Sequence, residues 1–69
     1  MNYNLDLKKY KATFEQLEKD NRTFFAYSDF QALKKAEKIS AENGYGKVLH
    51  INEINPRTNR LLRAVRTAL

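Results

Sequence analysis

Apolar residues recur along this chain with two different periods, and the switches between them mark the elements. In SDFQALKKAEKISAENG, Ala32, Leu33, Ala36 and Ile39 gather on one side of a helical wheel, while Lys34, Lys35, Lys38 and Glu42 fall largely elsewhere. That stripe predicts a helix laid against a core. Ser28 and Gln31 form a capping-box pattern at its start, and Gly44 supplies the stop at its end. The two alanines at the centre of the stripe predict close approach to a sheet. The runs RTFFAYS before the helix and GKVLHINEI after it, the latter with Val48, Leu49, Ile51 and Ile54, are rich in β-branched and aromatic residues and predict strands. A helix between two strands predicts a crossover unit with parallel strands and a right-handed connection.

Two segments admit two readings. Leu7, Tyr10, Phe14 and Leu17 keep helical spacing, whereas Tyr10, Ala12 and Phe14 alternate as a strand would. The strand is preferred, because a lone pair of parallel strands makes a poor sheet. It predicts a hairpin of KKYKATFEQ with RTFFAYS, turning through Asp20 and Asn21. At the other end, NPRTNRLLRAVRTAL reads as a helix with Asn55 as N-cap and Pro56 as first helical residue. Leu61, Leu62, Ala64, Val65, Ala68 and Leu69 then share one side, and Arg60, Arg63 and Arg66 the other. As a hairpin, residues 55–59 also make a good loop. Strict alternation in the strand that follows would, however, leave neither face wholly apolar. The predicted fold is α+β: a small β-β-α-β domain with a C-terminal amphipathic helix, the alternative being β-β-α-β-β with a C-terminal hairpin.

Length restricts this to one compact domain over residues 1–69, near the lower size at which a chain without disulfide or metal folds alone. Burial between copies would help so small a core, so a homo-oligomer is an expectation. Cysteine is absent and His50 is the single histidine, which argues against disulfides, thiolate chemistry and a zinc site. The carboxylates are dispersed among lysines, and ENGYGK lacks the spacing of a phosphate-binding loop. The expectation is a non-enzymatic protein with no metal and no cofactor. The start MNYNLDLKK has no long apolar run, and no segment approaches the length of a membrane span, so the expected setting is cytoplasmic, with no membrane partner.

Aromatics on the predicted strands are assigned mainly to the interior, with base stacking as the less favoured use. The net charge of +5 changes the picture by its placement. Residues 1–28 hold five basic and four acidic side chains, residues 29–54 hold four of each, and residues 55–69 hold four arginines and no acid. Arg57, Arg60, Arg63 and Arg66 are therefore the candidate binding residues, since guanidinium pairs bidentately with carboxylate or phosphate.

The hairpin YKATFE and RTFFAYS, the helix SDFQALKKAEKI and the strand GKVLHINEINP together resemble many small accessory proteins encoded by bacteriophages of low-GC bacteria. The resemblance covers most of the chain, rests on no diagnostic motif and transfers no functional residue. It implies a phage protein acting in the host cytoplasm as a stoichiometric inhibitor, sponge or adaptor. The function expected is a binding protein that inhibits or sequesters a host protein with an acidic or nucleic-acid-binding surface. The alternative is a nucleic-acid- or nucleotide-binding module using its C-terminal arginines.

Overall fold

The computed structural model describes residues 7–67. The order of elements is β1 (Lys8–Phe14), β2 (Leu17–Ala26), α1 (Asp29–Asn43), β3 (Val48–Ile54) and β4 (Leu61–Thr67). The fold is α+β, a four-stranded sheet in the order β2-β1-β3-β4 with every neighbouring pair antiparallel. β2 and β3 run parallel, as the crossover pattern predicts, but β1 lies between them.

The helix is built as its sequence specifies. Ser28 is extended at φ −151° and ψ 164°, and its Oγ accepts from the Gln31 amide at 3.1 Å. Gln31 returns its Oε1 to the Tyr27 amide at 2.7 Å, satisfying a donor just ahead of the cap. At the other end Gly44 takes φ +69°, and its N–H donates to the Ser40 carbonyl. The α1 residues Ala32, Ala36 and Ser40 are buried, and Leu33 and Ile39 flank them. Tyr10, Ala12, Phe14, Ala26, Val48 and Ile51 meet that face from the sheet. Tyr10 stacks on Phe24 with ring centroids 6.0 Å apart, and Phe14 tilts against Tyr45 at 5.2 Å. The strand aromatics thus divide: Phe24 serves the core, and Phe25 and Tyr27 are exposed.

The first hairpin turns at Glu15 and Gln16, ahead of the predicted Asp20 and Asn21, which lie within β2. Local propensity yields here to tertiary bonding. The Glu15 amide donates to the Lys47 carbonyl at 2.9 Å and the Gln16 amide to the Tyr45 carbonyl at 2.7 Å, docking the turn on the α1–β3 connection.

The C-terminal helix is not formed, and β4 stands in its place as the edge partner of β3. Asn55 performs its capping chemistry for a single turn: its Oδ1 accepts from the Arg57 and Thr58 amides at 2.8 and 3.1 Å. Asn59 then enters the left-handed region at φ 63°, and the Asn55 amide donates to the Arg60 carbonyl, sending the chain back along β3. Of the residues sorted on the predicted wheel, Ala68 and Leu69 lie outside the described residues.

Ile51 is fully buried at the centre of the sheet, whereas Leu62 is 53% exposed. Ile51→Ala is expected to lower unfolding free energy by about 2–5 kcal/mol. Leu62→Ala is expected to stay within about 0.5 kcal/mol of the parent. Urea denaturation of the two variants checks both values; equal losses would place Leu62 in the core.

Candidate functional site

Strand register determines which side chains meet. Tyr10 pairs with Phe24 and Glu53, and Glu53 with Arg63, so one row of the sheet faces α1. In it the buried Tyr10 hydroxyl donates to Asp29 Oδ1 at 3.0 Å. Arg63 Nη2 donates to the same oxygen at 2.7 Å, and Arg63 Nε to Glu53 Oε1 at 2.9 Å. A single guanidinium therefore joins β4 to β3 and to the first residue of α1, while Tyr10 adds β1. Asp29 also lies at the positive end of the helix dipole.

Both charged ends of this network are shifted. The hydrogen bond from Arg63 holds the Asp29 carboxyl below its ordinary value, aided by the Tyr10 hydroxyl and opposed by partial desolvation. Burial, then the hydrogen bond to Asp29, pushes Tyr10 up to about 12. The hydrogen bond to Asp29 raises Arg63 further.

Arg63 reaches this row through an irregularity in β4. Ile54 pairs with Leu61 but Glu53 with Arg63, leaving Leu62 as an extra residue; Asn52 pairs with Ala64 but Ile51 with Arg66, leaving Val65 as a second. The faces of β4 consequently repeat every three residues, with Arg63 and Arg66 toward α1 and Leu61 and Ala64 on the uncovered side.

The four candidate arginines are not brought into one stripe. Arg57 and Arg60 stand exposed in the β3–β4 connection, Arg63 is held by two carboxylates, and Arg66 lies one row further along the helix side. The helical wheel that predicted a common stripe is overturned with the helix itself.

Sequence reasoning missed the distribution of exposed apolar groups. Leu7, Phe25, Tyr27, Phe30, Leu61 and Leu62 are the exposed large hydrophobics among the described residues. Lys8 pairs with Ala26, Lys9 with Ile54, and Ile54 with Leu61. β1 and β4 begin at the end of the sheet where β2 and β3 finish, and α1 starts there two residues past the Tyr27 position. All six residues belong to that end.

Cations accompany them. Lys9 Nζ lies 5.9 Å from the Phe25 ring centre and Lys34 Nζ 5.4 Å from that of Phe30. Lys9 also donates to Asn59 Oδ1 at 2.9 Å, which ties the Arg57 and Arg60 loop to β1. Among the described residues the carboxylates at this end are Asp29 and Glu53, both engaged by Arg63. The result is an apolar end with a cationic rim. A signal was present in the sequence: Tyr27, Phe30, Leu61 and Leu62 flank the predicted cap and loop, where element ends meet. Their convergence becomes visible only once the strand order is known.

Among the described residues no cluster of three or more histidine, aspartate or glutamate side chains is arranged to hold a metal, and no helix is long and apolar enough to cross a membrane. Comparisons with family models, curated proteins and solved structures return no match to this chain.

The shifts define two limbs of a pH profile. Asp29 is depressed, so its contribution to stability is present above its unfolded value of 3.8 and is lost as pH falls through the lower folded value. Tyr10 is raised, so its contribution is present below 10.0 and is lost as pH climbs toward about 12. Urea midpoints measured against pH are expected to lose part of the acid limb in Asp29→Asn and part of the alkaline limb in Tyr10→Phe. Parent-like slopes in both variants would contradict the network.

Proposed function

We propose that this chain is a non-enzymatic binding protein that docks an acidic surface of a partner protein on its apolar, cation-rimmed end. The observation that carries the reading is the gathering of Leu7, Phe25, Tyr27, Phe30, Leu61 and Leu62 at one end of the sheet. Exposed apolar groups concentrated within a polar rim are the signature of a protein contact. The rim selects the partner. Lys9, Lys34, Arg57 and Arg60 are without a carboxylate partner among the described residues, and a carboxylate-bearing surface supplies what they lack. Pairing of two such ends would bring like charges together, which favours a different, acidic protein over a second copy at this surface. The likeness to phage accessory proteins supports the same class of behaviour, stoichiometric inhibition or sequestration of a host protein.

A second reading has its own observation. The face of the sheet opposite α1 presents Lys9, Lys11, His50, Thr13, Thr23, Asn52 and Phe25, with no carboxylate in those rows. A basic sheet surface with an aromatic at its edge suits a nucleic-acid backbone.

One experiment tests both. Immobilised parent protein and the Phe30→Ser/Leu62→Ser and Lys11→Gln/His50→Gln variants are exposed to bacterial lysate, and each is titrated with single- and double-stranded oligonucleotides at low and high salt. The expected result is capture of an acidic protein by the parent and by Lys11→Gln/His50→Gln, with loss in Phe30→Ser/Leu62→Ser. Capture unaffected by the apolar substitutions overturns the first reading. Salt-sensitive oligonucleotide binding abolished in Lys11→Gln/His50→Gln transfers the function to the open face.

A further inference from the structure

α1 packs on β3, β2 and β1 but leaves β4 largely uncovered. A recess of about 280 Å³ opens along that margin, lined by Glu37, Ser40 and Ala41 of the helix, Gly46 and Lys47 of the connection into β3, Val48 at the start of β3, and Arg66 of β4. Its size falls just below the usual range of ligand pockets, roughly 300–1,000 Å³, so that only a small molecule fits. The second bulge is what delivers Arg66 here. With strict alternation after Ala64, Ile51 would face Val65 and Arg66 would fall on the other side of the sheet; the extra residue sets Arg66 opposite Ile51, toward α1.

Arg63 and Arg66 occupy neighbouring rows on the same side, yet their situations differ. Arg63 has two carboxylates. Arg66 has no hydrogen-bond or ion-pair partner among the described residues, and neither do the side chains of Lys47 and Glu37. The recess therefore joins two unengaged cations and one carboxylate around the buried Ser40 and Val48. Its wall is firm, because Ser40 Oγ donates to the Gly46 carbonyl and the Lys47 carbonyl accepts from Glu15.

We propose that this recess is a binding site for a small organic anion whose carboxylate or phosphate group is held by Arg66 and Lys47, with Glu37 accepting a donor at the ligand's other end. Arg66 supplies a planar fork for two oxygens, and Lys47 adds a mobile point charge. The site is separate from the apolar end, which lies at the opposite extremity of α1.

Backbone amide shifts of the full chain are to be followed by NMR on titration with inorganic phosphate, glycerol 3-phosphate, L-glutamate and citrate in turn. Saturable shifts confined to residues 37–48 and 66 are expected with at least one probe, the phosphate and carboxylate arms identifying the preferred group. Arg66→Gln is expected to weaken that binding at least about tenfold, equivalent to about 1.4 kcal/mol. Lys47→Gln should weaken it as well, and serves should Arg66→Gln fail to fold. Arg57→Gln/Arg60→Gln should bind as the parent does, which keeps this outcome distinct from that of the apolar end. Shifts that spread over every cationic residue without saturating, or undiminished binding in both Arg66→Gln and Lys47→Gln, would overturn the proposal.

Discussion

One guanidinium holds the two least secured parts of this fold to the rest. β4 is an edge strand that pairs only with β3 and gives the core a single partly buried residue, Val65. The start of α1 hangs from a short link after β2. Arg63 bonds Asp29 at that start and Glu53 on β3, while Tyr10, fully buried on β1, closes the arrangement through the same Asp29 oxygen. An exposed ion pair alone contributes little. Here the carboxylate of Asp29 also satisfies a hydroxyl that has no access to water, and leaving that hydroxyl unpaired would cost about 1–3 kcal/mol. The residues of the network neighbour exposed apolar ones in the chain: Asp29 precedes Phe30, and Arg63 follows Leu62.

The arginine spacing explains why the last segment reads as a helix when the alternative, a C-terminal hairpin, is the structure it forms. Arginines at positions 60, 63 and 66 have a spacing that matches a helix. A regular strand repeats its faces every two residues and cannot place Arg63 and Arg66 together. β4 can, because Leu62 and Val65 are inserted as bulges and change the face repeat to three. Bulges leave no composition signature, so the arginine spacing pointed to the wrong element. They also make β4 a poor template for another strand, reinforcing the case for side-chain contacts at its apolar end.

What could be read from the chain was governed by local chemistry. Ser28, Gln31 and Gly44 act at the ends of α1 as their residue types require, and the alanine stripe is the buried face. β3 and the alternation of Tyr10, Ala12 and Phe14 were legible for the same reason. Asp20 and Asn21 misled because the turn was decided by bonds to Tyr45 and Lys47, far along the sequence. Asn55 and Pro56 misled because one capped turn and a helix start share their first residues, and only the left-handed Asn59 separates them. The candidate site was least legible of all. Its six apolar residues are scattered from position 7 to position 62, and strand order alone assembles them.

Amide hydrogen exchange by NMR, comparing the parent with Arg63→Gln, addresses the central claim most directly, since it reports the opening of each element separately. The account predicts faster exchange concentrated in β4 and the first turn of α1, with the paired amides of β1 and the second half of α1 nearly unchanged. Exchange that rises uniformly through the molecule, or that is unaltered in β4, would contradict it.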